Sequence, residues 1–110
     1  MNIQIFGKAK CFDTKKAERY FKERRVKFQA IDLKKYGISK GELTSVLRSV
    51  KLEDLIDPQH PDAALLSYLA YPEAKVEKLL EDPTLIKTPI VRNGKQATVG
   101  YQPEVWKGWE

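Results

Sequence analysis

The chain holds one cysteine, Cys11, and one histidine, His60, in 110 residues. A single cysteine excludes an internal disulfide, which fits a reducing, cytoplasmic setting. One cysteine and one histidine cannot build a zinc site without carboxylates or a second chain, so no metal is expected. No apolar run approaches the roughly 18 residues of a membrane span. The N-terminus lacks the basic, apolar and small-residue regions of a secretory signal. There is no repeat, low-complexity tract or linker, and residues 1–110 are expected to form one domain with one core. Apolar residues make up 42% of the chain and charged residues 32%, which excludes disorder.

The net charge of +5 is unevenly spread. Residues 1–51 carry 14 Lys or Arg against 5 Asp or Glu, a balance of +9, whereas residues 52–110 carry 6 against 10, a balance of −4. The basic half is either a set of solvated helix faces or an attraction for an anionic substrate, an acidic protein or nucleic acid. Tyr20 and Phe21 lie among basic residues, but their helical spacing assigns them to the core. No recognition helix or basic-aromatic strand motif supports direct nucleic-acid binding.

Ile3–Phe6 reads as a short central strand, residues 14–24 as a helix, and Val26–Leu33 as a second strand. Asp13 or Thr14 can cap that helix. A strand, a helix and a strand within about 30 residues make a βαβ unit with parallel strands. Ser39 and Glu42 form a capping box ahead of the stripe Leu43, Val46, Leu47 and Val50. After a break at residues 57–62, helices are expected over residues 63–71, capped by Asp62, and over residues 72–81, opened by Pro72. Asn93-Gly94 then signals a hairpin between residues 88–92 and 95–99. A terminal helix follows, with Trp106 and Trp109 packing on the sheet. The order βαβ, helical insert (residues 39–82), ββα predicts an α/β layer fold. It is the thioredoxin order, a mixed four-stranded sheet with extra helices between its halves.

Cys11 falls where the first strand hands over to its helix. Unpaired N–H groups and the dipole at a helix start favour a thiolate, and Lys8, Lys10, Lys15 and Lys16 add positive charge nearby. Cys11 is therefore the candidate nucleophile. Thr14 can donate to the thiolate or cap the helix; Lys8 and Lys10 can steer an anion or stay simple surface charges. His60, in a proline-rich break, reads as an exposed loop residue.

Several segments resemble the arsenate reductase (ArsC) and Spx group of thioredoxin-like proteins over nearly the whole chain. They are Ile3 through Cys11, Lys15-Lys16-Ala17, residues 85–91, Val99-Gly100-Tyr101 and the closing helix. The resemblance implies a cis Pro89 facing Cys11 and substrate contacts from Lys8, Thr14, Lys51, Thr88 and Pro89. It also implies glutathione or glutaredoxin as co-reactant, with no bound cofactor. The group's reductases grip an oxyanion with a basic residue and two arginines, and those positions here are Lys51, Thr88 and Tyr101. One cation remains, a point charge without the fork of arginine. The Cys-x-x-Cys of redox-sensing Spx members is Cys11-Phe12-Asp13-Thr14, which removes the disulfide switch, and the Cys-x5-Arg loop of small phosphatases fails at Ala17. Two functions follow. One is a monothiol oxidoreductase using Cys11, its adduct resolved by an external thiol; the other is an Spx-like regulator that binds a partner such as RNA polymerase.

Overall fold

A computed structural model describes residues 1–109. Its sheet consists of β1 (Ile3–Gly7), β2 (Phe28–Asp32), β3 (Ile90–Asn93) and β4 (Gln96–Val99), in the spatial order β2-β1-β3-β4. β1 and β2 are parallel and joined through α1 (Phe12–Glu23), while β1–β3 and β3–β4 are antiparallel. Between β2 and β3 lie α2 (Leu33–Tyr36), α3 (Lys40–Leu47), α4 (Ala63–Leu66) and α5 (Pro72–Glu81), and α6 (Pro103–Lys107) closes the chain. This is the thioredoxin-like arrangement with a helical insert that the order of elements predicts.

The sheet divides the interior because successive strand side chains point to opposite faces. Ile3 and Ile5 of β1 and Val91 of β3 pack with Ala17, Tyr20, Phe21 and Trp106. Phe6 and Ile90 face the other way, onto Leu33 of α2 and Leu43, Val46 and Leu79 of the insert. The α3 start is the expected capping box: Ser39 Oγ accepts from the Glu42 N–H at 3.1 Å, and Glu42 Oε1 accepts from the Ser39 N–H at 2.9 Å. Pro72 opens α5, where its missing N–H costs nothing.

Several boundaries differ from expectation, each for a local reason. The first helix begins two residues early, at Phe12, and neither Asp13 nor Thr14 caps it; Cys11 holds the cap position in an extended conformation. β2 is shorter than expected because the Val26 N–H closes onto the Phe21 carbonyl of α1 at 2.9 Å. At its other end Asp32 caps a helical turn by accepting the Lys34 N–H. The helix expected over residues 63–71 stops at Leu66, and the Asp62 side chain does not cap it. Beyond Leu66 the bonds run to the third residue back, Tyr68 N–H to Leu65 and Leu69 N–H to Leu66, and Leu65, Tyr68 and Tyr71 face solvent. Without a buried stripe, little holds a longer α-helix there. In the hairpin Asn93 pairs with Gln96, so the two loop residues are Gly94 and Lys95 rather than Asn93 and Gly94. The Asn93 side chain accepts the Asn2 N–H, and only Gly94 takes positive φ, at 60°.

Trp106 anchors α6. It is fully buried, donates its indole N–H to Thr98 Oγ1 at 2.8 Å, and meets Tyr20, Phe21 and Tyr101 with ring centroids 5.2, 5.3 and 5.6 Å away. Truncating so large a core side chain removes transfer energy and leaves a cavity. Trp106→Ala is expected to lose about 3–5 kcal/mol of unfolding free energy by urea titration. A loss within about 0.5 kcal/mol, the range of surface substitutions, would contradict this assignment of the core.

Candidate active site

β1 ends at Gly7, directly above the first turn of α1. A Cβ on Gly7 would collide with the Thr14 methyl group, so only glycine permits this approach of strand end to helix. The chain then turns: the Cys11 N–H donates to the Lys8 carbonyl at 3.1 Å, and the Lys15 N–H donates to the Cys11 carbonyl at 3.3 Å, starting the helix. This places Cys11 Sγ at the α1 N-terminus, partly buried, with Phe12 beside it 79% exposed.

As a thiol, Cys11 donates to the Thr88 carbonyl at 3.6 Å. Partial burial pushes the thiol pKa up, but hydrogen bonds to the thiolate outweigh it: from the Thr14 side chain, the Thr88 side chain, and the Thr14 and Asp13 backbone N–H groups. The net effect holds Cys11 below the ordinary cysteine range. Thr14 Oγ1 is buried without a hydrogen-bond partner, which leaves its proton free to turn toward the thiolate. Thr14 does not cap the helix. No lysine charge is among the causes of the shift.

Lys8 shows why. Its Nζ lies 3.1 Å from Asp57 Oδ2 and 2.8 Å from the Thr84 carbonyl, and its side chain is only 22% exposed. The charge is committed to tying the β1–α1 turn to the insert and to the segment ahead of β3. Burial raises the Asp57 carboxyl pKa, but the Gln59 N–H and Lys8 together hold it below the usual carboxylate range.

An open groove of about 590 Å³ runs beside Cys11. Phe12 and Asp13 bound it on the helix side, Asp57 through Gln59 on the insert side, and Lys87 and Thr88 along the third wall. The Thr88-Pro89 peptide is cis, as the resemblance implies; Pro89 is buried, so the groove wall is Thr88. Lys8, Lys10, Cys11 and Thr88 are thus brought together, with Thr14 beneath the sulfur. Lys51 is not: it stands exposed before a 3-10 turn at Leu52–Leu55, outside the groove. Tyr101 packs edge-on against Trp106, also outside.

Sequence reasoning missed Asp57, Gln59 and Lys87 as groove residues. Residues 57–62 are recognisable as a break, but nothing local shows that the break folds against Cys11. His60 is likewise not the exposed loop residue expected. Its side chain is 15% exposed, its Nδ1 accepts the Asp62 N–H at 3.0 Å, and its Nε2 lies 3.1 Å from Thr84 Oγ1 and 3.5 Å from Asp82. Thr84 Oγ1 in turn donates to Asp82 Oδ1. This network closes the insert against the turn that carries the Thr84 carbonyl to Lys8.

Comparison with known proteins agrees with this fold. The chain is 29% identical over 109 residues to the global transcriptional regulator Spx 2 of Oceanobacillus iheyensis, a match spanning 94% of this chain and 80% of the regulator. Its fold is shared by a putative ArsC family related protein of Bacteroides fragilis, with TM-score 0.87, 17% identity, and coverage of 100% of this chain and 98% of that one. The arsenate reductase of Vibrio cholerae is similar too, with TM-score 0.82, 22% identity, and coverage of 96% and 94%. No helix among the described residues is long and apolar enough to cross a membrane. Residues 6–109 match the ArsC family profile, and the chain belongs to the ArsC family.

Proposed function

We propose that this protein is a monothiol oxidoreductase whose nucleophile is the Cys11 thiolate. One observation carries the reading: Cys11 lines an open groove at a helix start, and nearby hydroxyls and helix N–H groups favour its thiolate. In the first step Sγ attacks one sulfur of a mixed disulfide on an oxidised substrate. The S–S bond breaks, and the departing thiolate takes a proton from solvent. In the second step an external thiol, glutathione or glutaredoxin, loses its proton to solvent and attacks the sulfur bound to Cys11. That S–S bond breaks, a new disulfide forms on the external thiol, and Cys11 leaves as its thiolate. Two thiol electrons have then reduced the substrate, and no second cysteine in this chain is needed. Exposed Phe12 offers the groove an apolar flank suited to an organic substrate.

A second reading draws on the identity to a global transcriptional regulator and on the basic first half. In it the same scaffold binds a partner such as RNA polymerase, without a Cys-x-x-Cys switch. Retention of RNA polymerase from lysate to the same extent by wild type and Cys11→Ser favours that reading; a trapped mixed disulfide on Cys11 favours the first.

The reactive species is the thiolate. With its pKa depressed, Cys11 should keep its iodoacetamide reactivity below the pH at which free cysteine loses it, the rate falling only as pH drops through the depressed value. A titration that overlays free cysteine would sink the proposal. Thr14→Val keeps shape but removes a donor to the thiolate, so its alkylation profile should move to higher pH; an unmoved profile would show that the hydroxyl does not serve the sulfur. In a glutathione-mixed-disulfide turnover assay, with and without glutaredoxin, Cys11→Ser should fall to the uncatalysed background. Turnover equal to wild type would reject the mechanism.

A further inference from the structure

We propose that Asp57 is a specificity-determining residue of the Cys11 groove, neutralising Lys8 so that the groove refuses small tetrahedral oxyanions and admits disulfides, whose reacting sulfurs are uncharged. The inference rests on the proposed thiol chemistry and names its substrate class.

A tetrahedral dianion beside Cys11 needs fixed positive charge or free N–H donors. Lys8 is the part-buried cation of the groove, and its ammonium is already held by Asp57 Oδ2 at 3.1 Å and the Thr84 carbonyl at 2.8 Å. Asp57 is itself anchored: its N–H donates to the Leu85 carbonyl at 2.8 Å, and its Oδ1 accepts the Gln59 N–H at 2.9 Å. The carboxylate therefore cannot swing away to release Lys8 without breaking the loop. The N–H groups of Asp13 and Thr14 at the start of α1 favour the Cys11 thiolate as donors. The remaining cations, Lys10 and Lys87, are exposed side chains on the rim, where a charge pair is worth only about 0–1 kcal/mol. Against them an entering dianion meets two carboxylates of the lining, Asp13 and Asp57. A disulfide sulfur carries no charge to be repelled, and exposed lysines at the rim can still meet carboxylates on the rest of a peptide.

The test is anion protection of Cys11 from iodoacetamide, with inorganic sulfate as probe against sodium chloride at matched ionic strength. Wild type should be alkylated at the same rate in both salts. Asp57→Asn keeps a hydrogen-bonding oxygen but frees the Lys8 charge, and sulfate should now protect. In that variant sulfate should slow alkylation roughly fivefold or more relative to chloride, the scale of one unpaired, part-buried cation. The double variant Lys8→Met with Asp57→Asn should lose that protection. Sulfate protection of wild type beyond chloride overturns the proposal even if the variants fail to fold. So does an Asp57→Asn variant that sulfate protects no better than wild type, or protection that survives in the double variant. A failure here leaves the depressed Cys11 titration intact, whereas failure of the thiol reading shows in that titration itself.

Discussion

Lys8 Nζ, lodged between the Asp57 carboxylate and the Thr84 carbonyl, holds together three parts of the molecule that are distant in sequence. Its backbone carbonyl accepts the Cys11 N–H, so the residue that reaches across to the insert also shapes the turn carrying Cys11. A half-buried ion pair with further hydrogen bonds on both partners orients groups more than it adds net stability, because desolvation offsets much of the attraction. Orientation is what the site requires. A sulfur at a helix N-terminus is useful only if it points into the groove with donors on its other side.

The reactivity assigned to Cys11 then comes from short-range donors and not from the surrounding basic field. Lys10, Lys15 and Lys16 are exposed, and salt screens exposed charges beyond about 8–10 Å. Hydrogen bonds to the charged form act at contact and distinguish thiolate from thiol directly. Thr14 is the clearest case. It is packed beneath Gly7, where no side chain could fit, and its buried hydroxyl, without a hydrogen-bond partner, favours the thiolate as a donor. The strand–helix contact that closes the fold therefore also sets a residue that favours the thiolate.

The sheet separates two cores with different tasks. The face carrying Tyr20, Phe21 and Trp106 binds α1 and α6 to the strands and so fixes the helix that presents Cys11. The face carrying Phe6, Leu43, Leu79 and Ile86 seats the insert. An isolated bridge between Ile56 and Ile86, and the Lys87 N–H donating to the Leu55 carbonyl at 2.7 Å, lay the insert beside the strand that follows Thr88. The insert thereby supplies one wall of the groove and the carboxylate that faces Lys8. Its outer segment, with Leu65, Tyr68 and Tyr71 exposed, takes no part in that wall.

Signals that act within a few residues were legible in the amino-acid order. The Ser39–Glu42 capping box, the Pro72 helix start, the short strand at Ile3–Phe6, and the hairpin near Gly94 all depend on near neighbours. Cys11 at a strand-to-helix junction belongs to the same group. The partners of that sulfur do not: Thr88 lies 77 positions away, and the Lys8–Asp57 pair spans 49. Whether a lysine stands free beside a thiol or is already paired, and whether a histidine in a proline-rich break is exposed or held by a threonine, depends on which loops the packed sheet brings together. Chain order alone defined the order of the elements and the candidate nucleophile; tertiary packing decided which charges remain available to a substrate, because those charges meet only after distant segments fold against one another.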